Sequence, residues 1–543
     1  MLTCGELLVE LLQDLGVELV FGIPGVHTIE LYRGLPASRI RHITPRHEQG
    51  AGFMADGYAR TSGKPGVCFV ITGPGMTNIL TAMGQAYADS VPMLVISSVN
   101  RTHELGMGGG RLHELPAQRE LVAGVSAFSH TLLRPDELPE VLRRAFAVFH
   151  GGRARPVHIE IPLDVITQRA DHVPRRLGAL PSRPAPDPAA IAQAVALLRE
   201  AKRPLLLLGG GAVDAGDRAR LLAEAWDAPT ASTINAKGLL PKGHPLSLGS
   251  NQSLAPVREL AAQADVVLAI GTELGETDYD VVFDGGFRIG GKLIRVDIDA
   301  AQLQRNYPAD IAILSDAGAA IDALIASLAG QPASDRPGRK SGDSPGRARA
   351  ARARALLAAQ VPAAWSGQQR MLQLIQETLP EVIIVGDQTQ PVYSGNHLFE
   401  ATRPRSWFNS STGYGTLGYA LPAAIGARLA QPQRPVIALI GDGGIQFTLP
   451  ELGAALEAGT PIIVVLWNNH GYGEIKRYMR KGAITPIGVD IHTPDFLALA
   501  RAFGCEAARA TSFAHLRELL LNAARAERPT LIELMEEAPF LQS

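Results

Sequence analysis

The stretch Val436-Ile437-Ala438-Leu439-Ile440-Gly441-Asp442-Gly443-Gly444 and its later counterpart Ile462-Ile463-Val464-Val465-Leu466-Trp467-Asn468-Asn469-His470-Gly471 decide the fold. Each is an apolar, largely β-branched run, too short to cross a bilayer, that stops abruptly in glycine, aspartate or asparagine. That is the pattern of a buried parallel strand leaving its sheet at the carboxyl end. Working outward, the punctuation recurs. Val67 to Thr72 leads into Gly73-Pro74-Gly75, Met93 to Val99 is a further strand, and Pro204 to Leu208 runs into Gly209-Gly210-Gly211. Val266 to Ile270 leads into Gly271, Leu293 to Val296 into Asp297, and Val382 to Val385 into Gly386-Asp387. Strands alternating with helical lengths predict an α/β chain of doubly wound domains with mostly parallel sheets. Ligands of such sheets lie beyond the carboxyl ends of the strands, so these exits are where chemistry is sought.

A chain of 543 residues exceeds one hydrophobic core. Two proline-rich stretches without apolar periodicity, Arg175 to Pro188 and Gln331 to Arg349, divide it into predicted domains over 1–174, 188–330 and 350–543. The second stretch is expected to be irregular and mobile, because its composition buries too little apolar surface to offset the entropy of ordering. A net charge of −2 argues against a polyanionic partner, so no nucleic acid is expected. The opening Met1-Leu2-Thr3-Cys4-Gly5-Glu6 lacks the basic and apolar regions of a signal peptide. Cys4, Cys68 and Cys505 form neither a zinc spacing nor a disulfide framework. The expectation is a cytoplasmic protein that does not enter a membrane.

At Gly441-Asp442-Gly443-Gly444, backbone amides can approach a phosphate while Asp442 offers a hard oxygen to a divalent cation. Read alone, this is equally a bland turn. The second exit, Asn468-Asn469-His470-Gly471, supplies an amide oxygen and a backbone carbonyl after a helix-plus-strand length. This pairing resembles the thiamine diphosphate motif of the acetolactate synthase and pyruvate decarboxylase superfamily. The resemblance implies Mg²⁺ held by Asp442, Asn469 and the Gly471 carbonyl, with diphosphate contacts along Gly441, Gly443 and Gly444. Gly386-Asp387-Gln388-Thr389-Gln390 resembles the family's earlier diphosphate loop, which implies phosphate contacts from Thr389 and Gln390. Tyr414-Gly415-Thr416-Leu417-Gly418 resembles the segment that grips the aminopyrimidine, with the Gly415 carbonyl on its amino group and Leu417 beneath the thiazolium.

Far upstream, Pro45-Arg46-His47-Glu48-Gln49-Gly50-Ala51-Gly52-Phe53 resembles the family's glutamate segment, and Gly73-Pro74-Gly75-Met76-Thr77-Asn78 matches structure near the site. Glu48 precedes small and apolar residues and is expected to be partly desolvated. The resemblance implies that its carboxyl shares a proton with a ring nitrogen of the cofactor, which then activates its own thiazolium carbon. Without the cofactor motif Glu48 reads as an exposed charge at a helix start. Because Glu48 and the metal motif fall on different domains, the resemblance also implies active sites at a dimer interface, with a homodimer as the minimum and a homotetramer as the expected assembly.

In acetolactate synthases the central domain carries FAD. Here the loop after Gly271 reads Thr272-Glu273-Leu274-Gly275-Glu276-Thr277-Asp278, and this acidity argues against FAD, since like charge beside a phosphate is repulsive. His27, after Pro24-Gly25-Val26, and His113, in Leu112-His113-Glu114, stand where synthases carry other residues. A histidine can relay a proton to a carbanion, which is decarboxylase work. Glu474 lies where relatives place substrate-facing side chains, and a carboxylate there suits a guanidinium. The nearest resemblance is to 5-guanidino-2-oxopentanoate decarboxylases. The rivals are an acetolactate synthase catalytic subunit and a non-catalytic relative that keeps only the fold.

Overall fold

A computed structural model describes residues 2–175, 177–281, 283–329 and 344–542. The first sheet contains β1 (Leu19–Gly22), β2 (Arg41–Ile43), β3 (Gly66–Val70), β4 (Met93–Val99), β5 (Phe128–Thr131) and β6 (Val157–Pro162), in the order β2-β1-β3-β4-β6-β5. The second contains β7 (Pro204–Leu208), β8 (Thr230–Ser232), β9 (Val266–Ile270), β10 (Lys292–Asp297) and β11 (Ile311–Leu314), ordered β11-β10-β9-β7-β8. The third contains β12 (Ile383–Gly386), β13 (Trp407–Asn409), β14 (Val436–Gly441), β15 (Ile463–Asn468), β16 (Glu506–Arg509) and β17 (Thr530–Met535), ordered β13-β12-β14-β15-β17-β16. The ladders of β1–β6, of β7–β11 and of β12 with β14–β17 are parallel. The fold is therefore three parallel-sheet α/β layers, as expected. Among the described residues no helix is long and apolar enough to cross a membrane.

The contacts group the chain into two compact units. One holds Met1–Pro181, Leu374–Val392 and Asn409–Leu541, and the other holds Ser182–Gln373, Tyr393–Phe408 and the last two residues. In the second unit the expected irregular stretch is corrected at its end. Residues 330–343 lie outside the described residues, but Pro345–Ala359 is a helix. Ser344 caps it through Arg347 N and donates to Asp227 Oδ1 at 2.6 Å, while Gly346 N donates to Asp227 Oδ2 at 3.0 Å. A proline in the first turn and a capping serine are start signals that composition alone conceals. Ala350 and Ala353 then join the apolar cluster under the second sheet.

In the first unit, the helix Glu48–Ser62 packs on Ala420–Ala430. Glycines make that crossing. A Cβ on Gly57 would lie 2.0 Å from the Ala423 carbonyl oxygen, and one on Gly426 would lie 1.9 Å from that of Met54. Backbone therefore meets backbone, and the helix that begins with Glu48 has a fixed distance from the third sheet. Gly426→Val should destabilise the protein by about 1–3 kcal/mol through overpacking, read as a lowered melting temperature. Gly124→Ala, where φ is −71° and nothing lies within 4 Å, should change stability by less than about 0.5 kcal/mol. Equal effects would contradict the close crossing.

Candidate active site

β14 and β15 pair with Gly441 opposite Trp467, so Asp442 and Asn468-Asn469 leave the sheet side by side. Asp442 is buried; Asn469 N donates to its Oδ1 at 3.3 Å and Gly471 N to its Oδ2 at 2.8 Å. Burial pushes its carboxyl up, and these backbone donors pull it back. Asn468 is spent on structure, donating to Glu533 Oε1 at 2.8 Å and accepting from His470 N at 3.1 Å. Asn469 is different: its Oδ1 is buried and has no hydrogen-bond partner among the described residues. An orphaned amide oxygen on the residue whose N–H binds a buried carboxylate puts hard oxygen donors at one strand exit, and these fit a divalent cation of the magnesium class.

The glycines at this exit serve the protein's own packing as well as any ligand. A Cβ on Gly441 would lie 3.1 Å from Thr389 Oγ1, one on Gly443 2.7 Å from the Tyr472 ring, and one on Gly444 2.8 Å from Asp387 Oδ1. Thr389 is thus brought against the Asp442 exit. Gln390 opens the helix Gln390–Leu398, and its Nε2 donates to Glu474 Oε2. Asp387, in the same loop, organises the next segment. Its Oδ1 accepts from Gln388 N at 2.9 Å and Gly418 N at 3.2 Å, and its Oδ2 from Ala420 N at 3.0 Å. Burial raises its carboxyl to about 6 against these donors. Thr448 Oγ1 donates to Gly418 O at 2.8 Å. Gly415 and Gly418, at φ +81° and +78°, make the turns that hold the half-buried Leu417 between them.

Glu48 is the first residue of its helix, with His47 as N-cap accepting from Gln49 N at 3.1 Å. Its side chain is half-buried, and Asn78 Nδ2 donates to Oε2 at 2.9 Å. A Cβ on Gly75 would come within 3.2 Å of its Oε1. The glycine motif after β3 therefore builds the seat of this carboxylate.

His27 and His113 stack, with ring centroids 5.1 Å apart and planes at 29°. His113 has φ +60°, a left-handed conformation that costs a non-glycine residue on the order of 1–3 kcal/mol. Its carbonyl crowds Gly73, where a Cβ would lie 2.7 Å away. The Nδ1 atoms of both rings are buried without partners among the described residues. Burial holds His27 below the ordinary histidine range, helped by His113 and opposed by Glu104. Glu474 already has a guanidinium: Arg477 Nη2 reaches its two oxygens at 2.5 and 2.6 Å.

Glu451 had no sequence signal. It is buried, its Oε1 accepts from Arg46 N at 3.0 Å and His47 N at 3.1 Å, and a Cβ on Gly50 would collide with it. It thereby fixes the approach to Glu48. Burial raises its carboxyl to about 7, against those two donors. A carboxyl raised on folding favours the folded state below its unfolded value, and this contribution is lost as pH rises through about 7. Glu451→Gln keeps an oxygen for the two N–H groups, and should raise the melting temperature by about 2 °C at about pH 8, with the gain fading toward about pH 5. An equal shift at both pH values would contradict the buried-acid reading.

Family models of thiamine pyrophosphate enzymes match three stretches of the chain: the N-terminal TPP binding domain over residues 2–121, the central domain over 191–324 and the C-terminal TPP binding domain over 387–534. The chain is 47% identical over 540 residues to a Pseudomonas aeruginosa protein named "Probable 2-ketoarginine decarboxylase", covering 98% of this chain and 94% of the relative. It is 31% identical to the acetolactate synthase isozyme 1 large subunit of Escherichia coli, covering 99% and 94% of the two chains. It is also 31% identical to a probable acetolactate synthase large subunit of Methanocaldococcus jannaschii, covering 98% and 91%. With three family models in order along three parallel sheets, and relatives aligned over almost its full length, the chain belongs to the thiamine pyrophosphate enzyme family.

Proposed function

We propose that the chain is a thiamine-diphosphate- and Mg²⁺-dependent decarboxylase that converts 5-guanidino-2-oxopentanoate, or 2-ketoarginine, to 4-guanidinobutanal and carbon dioxide. The observation that carries this reading is the stacked pair His27 and His113, whose buried Nδ1 atoms have no partner among the described residues. An imidazole nitrogen left open in this way can take up a proton, pass it to a carbanion and so end the reaction at the aldehyde. The name of the Pseudomonas aeruginosa relative supports the same substrate.

When bound, thiamine diphosphate supplies a thiazolium carbon that adds to a 2-oxo acid and takes up the electron pair left by carbon dioxide. Glu48, aimed by Asn78, holds the proton shared with the aminopyrimidine nitrogen. Asp442, the free Asn469 Oδ1 and the Gly471 carbonyl hold Mg²⁺, and Thr389, Gln390 and the glycines Gly441, Gly443 and Gly444 face the diphosphate. The Gly415 carbonyl and Leu417 seat the ring system. Glu474 receives the substrate's guanidinium. Its pairing with the 61%-exposed side chain of Arg477 supports this, because it displays the carboxylate in a geometry that accepts a guanidinium and a partner that water can replace.

The reading includes no flavin. In the second sheet Arg295 is buried and turned inward, donating to the carbonyls of Arg305, Tyr307 and Thr272. Gly211 N donates to Gly271 O at 3.0 Å, so the exits of β7 and β9 fill one another, beside the acidic run Glu273, Glu276 and Asp278. Domains over 1–174, 188–330 and 350–543, assembly as a homodimer or homotetramer without nucleic acid, and a cytoplasmic location complete the proposal. The second reading, an acetolactate synthase, is favoured by the names of the 31%-identical relatives.

Product analysis with thiamine diphosphate and Mg²⁺ separates the two. The expected outcome is carbon dioxide and 4-guanidinobutanal from 5-guanidino-2-oxopentanoate, with little turnover of pyruvate. Acetolactate from pyruvate, without reaction of the guanidino acid, would establish the synthase and leave Glu474 as a structural partner of Arg477 and Gln390.

A further inference from the structure

Gln85 is fully buried on the helix Pro74–Ala88, and every polar hydrogen and acceptor it has is committed toward one short segment or toward the charge that braces it. Its Oε1 accepts from Thr416 N at 3.3 Å and Thr416 Oγ1 at 2.9 Å. Its Nε2 donates to Thr412 O at 3.3 Å and Asp89 Oδ2 at 2.8 Å. The amide cannot be reversed, since its oxygen would then face the Thr412 carbonyl and the Asp89 carboxylate, and its NH₂ the Thr416 N–H. Ser410 Oγ donates to the Thr416 carbonyl at 2.7 Å, so Thr416 is held at its N–H, hydroxyl and carbonyl.

Behind this contact lies a buried ion cluster. Asp89 Oδ2 also accepts from Thr412 Oγ1 at 3.0 Å and Arg60 Nη2 at 2.7 Å. Arg60 Nε binds Asp56 Oδ1 at 2.6 Å, and Tyr419 OH donates to that same Asp56 oxygen. Asp56 and Arg60 belong to the helix that begins with Glu48, and Gln85 lies two turns along the helix that carries Asn78, the partner of Glu48. Two helices that hold the glutamate carboxylate thus also grip Thr412, Thr416 and Tyr419. A network of this kind costs desolvation and is weak evidence for stability, whereas a fully satisfied one specifies a unique geometry.

We propose that Gln85 is a positioning residue for the cofactor seat: by fixing Thr416 it sets the Gly415 carbonyl and Leu417 on either side of it, and through its helix it ties that seat to the position of Glu48. This rests on the reading of Gly415 and Leu417 as the seat of the aminopyrimidine and thiazolium rings. Gln85 touches neither ring and acts through Thr416.

The test uses the full-length protein with thiamine diphosphate and Mg²⁺, reading cofactor affinity by calorimetry and the exchange rate of the cofactor's C2 proton at saturation. Gln85→Leu should slow exchange roughly tenfold or more, as expected for a buried donor pair left without its acceptor. Thr416→Val should slow it similarly, the double variant should be no slower than either alone, and Thr416→Ser should restore it. Should Gln85→Leu not fold, the contrast between Thr416→Val and Thr416→Ser carries the test, and equal exchange in those two overturns the proposal. Additive losses, or wild-type exchange in a folded Gln85→Leu, overturn it as well. Slow exchange in Leu417→Ala with normal exchange in Gln85→Leu would remove this proposal alone, whereas normal affinity and exchange in Leu417→Ala would remove the seat and this proposal with it.

Discussion

Two neighbouring parallel strands, β14 and β15, leave their sheet in a register that sets the Asp442 carboxylate on the Asn469 N–H, at the exit that also carries the Asn469 side chain. Burying a carboxylate and an unpartnered amide oxygen is unfavourable unless something compensates them. Much of the first unit holds these oxygens in place. Gly471 and Asn469 turn backbone donors onto Asp442, Asn468 spends its side chain on Glu533, and the glycines at the exit allow Thr389, Asp387 and Tyr472 to close in. Only a backbone without side chains at three positions lets this much polar surface converge.

A second constraint joins the sheets of the first unit. Glu48 belongs to the first, the loops of Asp387 and Asp442 to the third, and the two are locked by helix backbones that meet at Gly57 and Gly426. Around that crossing the protein places polar groups that pair completely: Glu451 under Arg46 and His47, Asp387 under Gly418 and Ala420, and Gln85 under Thr416. These buried acids and amides hold loops rather than react. Precise placement matters for the proposed chemistry because a proton shared with a ring nitrogen requires hydrogen-bond reach.

The fold was legible in the sequence because parallel strands buried on both faces carry their own signal. Met93–Val99, Pro204–Leu208 and Val266–Ile270 form as read. Boundaries moved where side chains left the ladder: Thr72, read as part of β3, instead turns its hydroxyl to Gln118. Asp442, Asn469 and Glu48 could be proposed as site residues from the sequence because one short motif contains each. Glu451 and Gln85 were not, since their partners stand hundreds of positions away and no local pattern records such a pairing. The helix Pro345–Ala359 was obscured by its composition, although Ser344 and Pro345 carried its start signal.

Calorimetric titration of the purified chain with thiamine diphosphate, with Mg²⁺ and then with EDTA in its place, tests the central claim most directly. The account predicts saturable binding that requires the cation, because Asp442 and the orphaned oxygen of Asn469 meet the diphosphate only through it. Equal affinity without a divalent cation, or no binding with one, would contradict it.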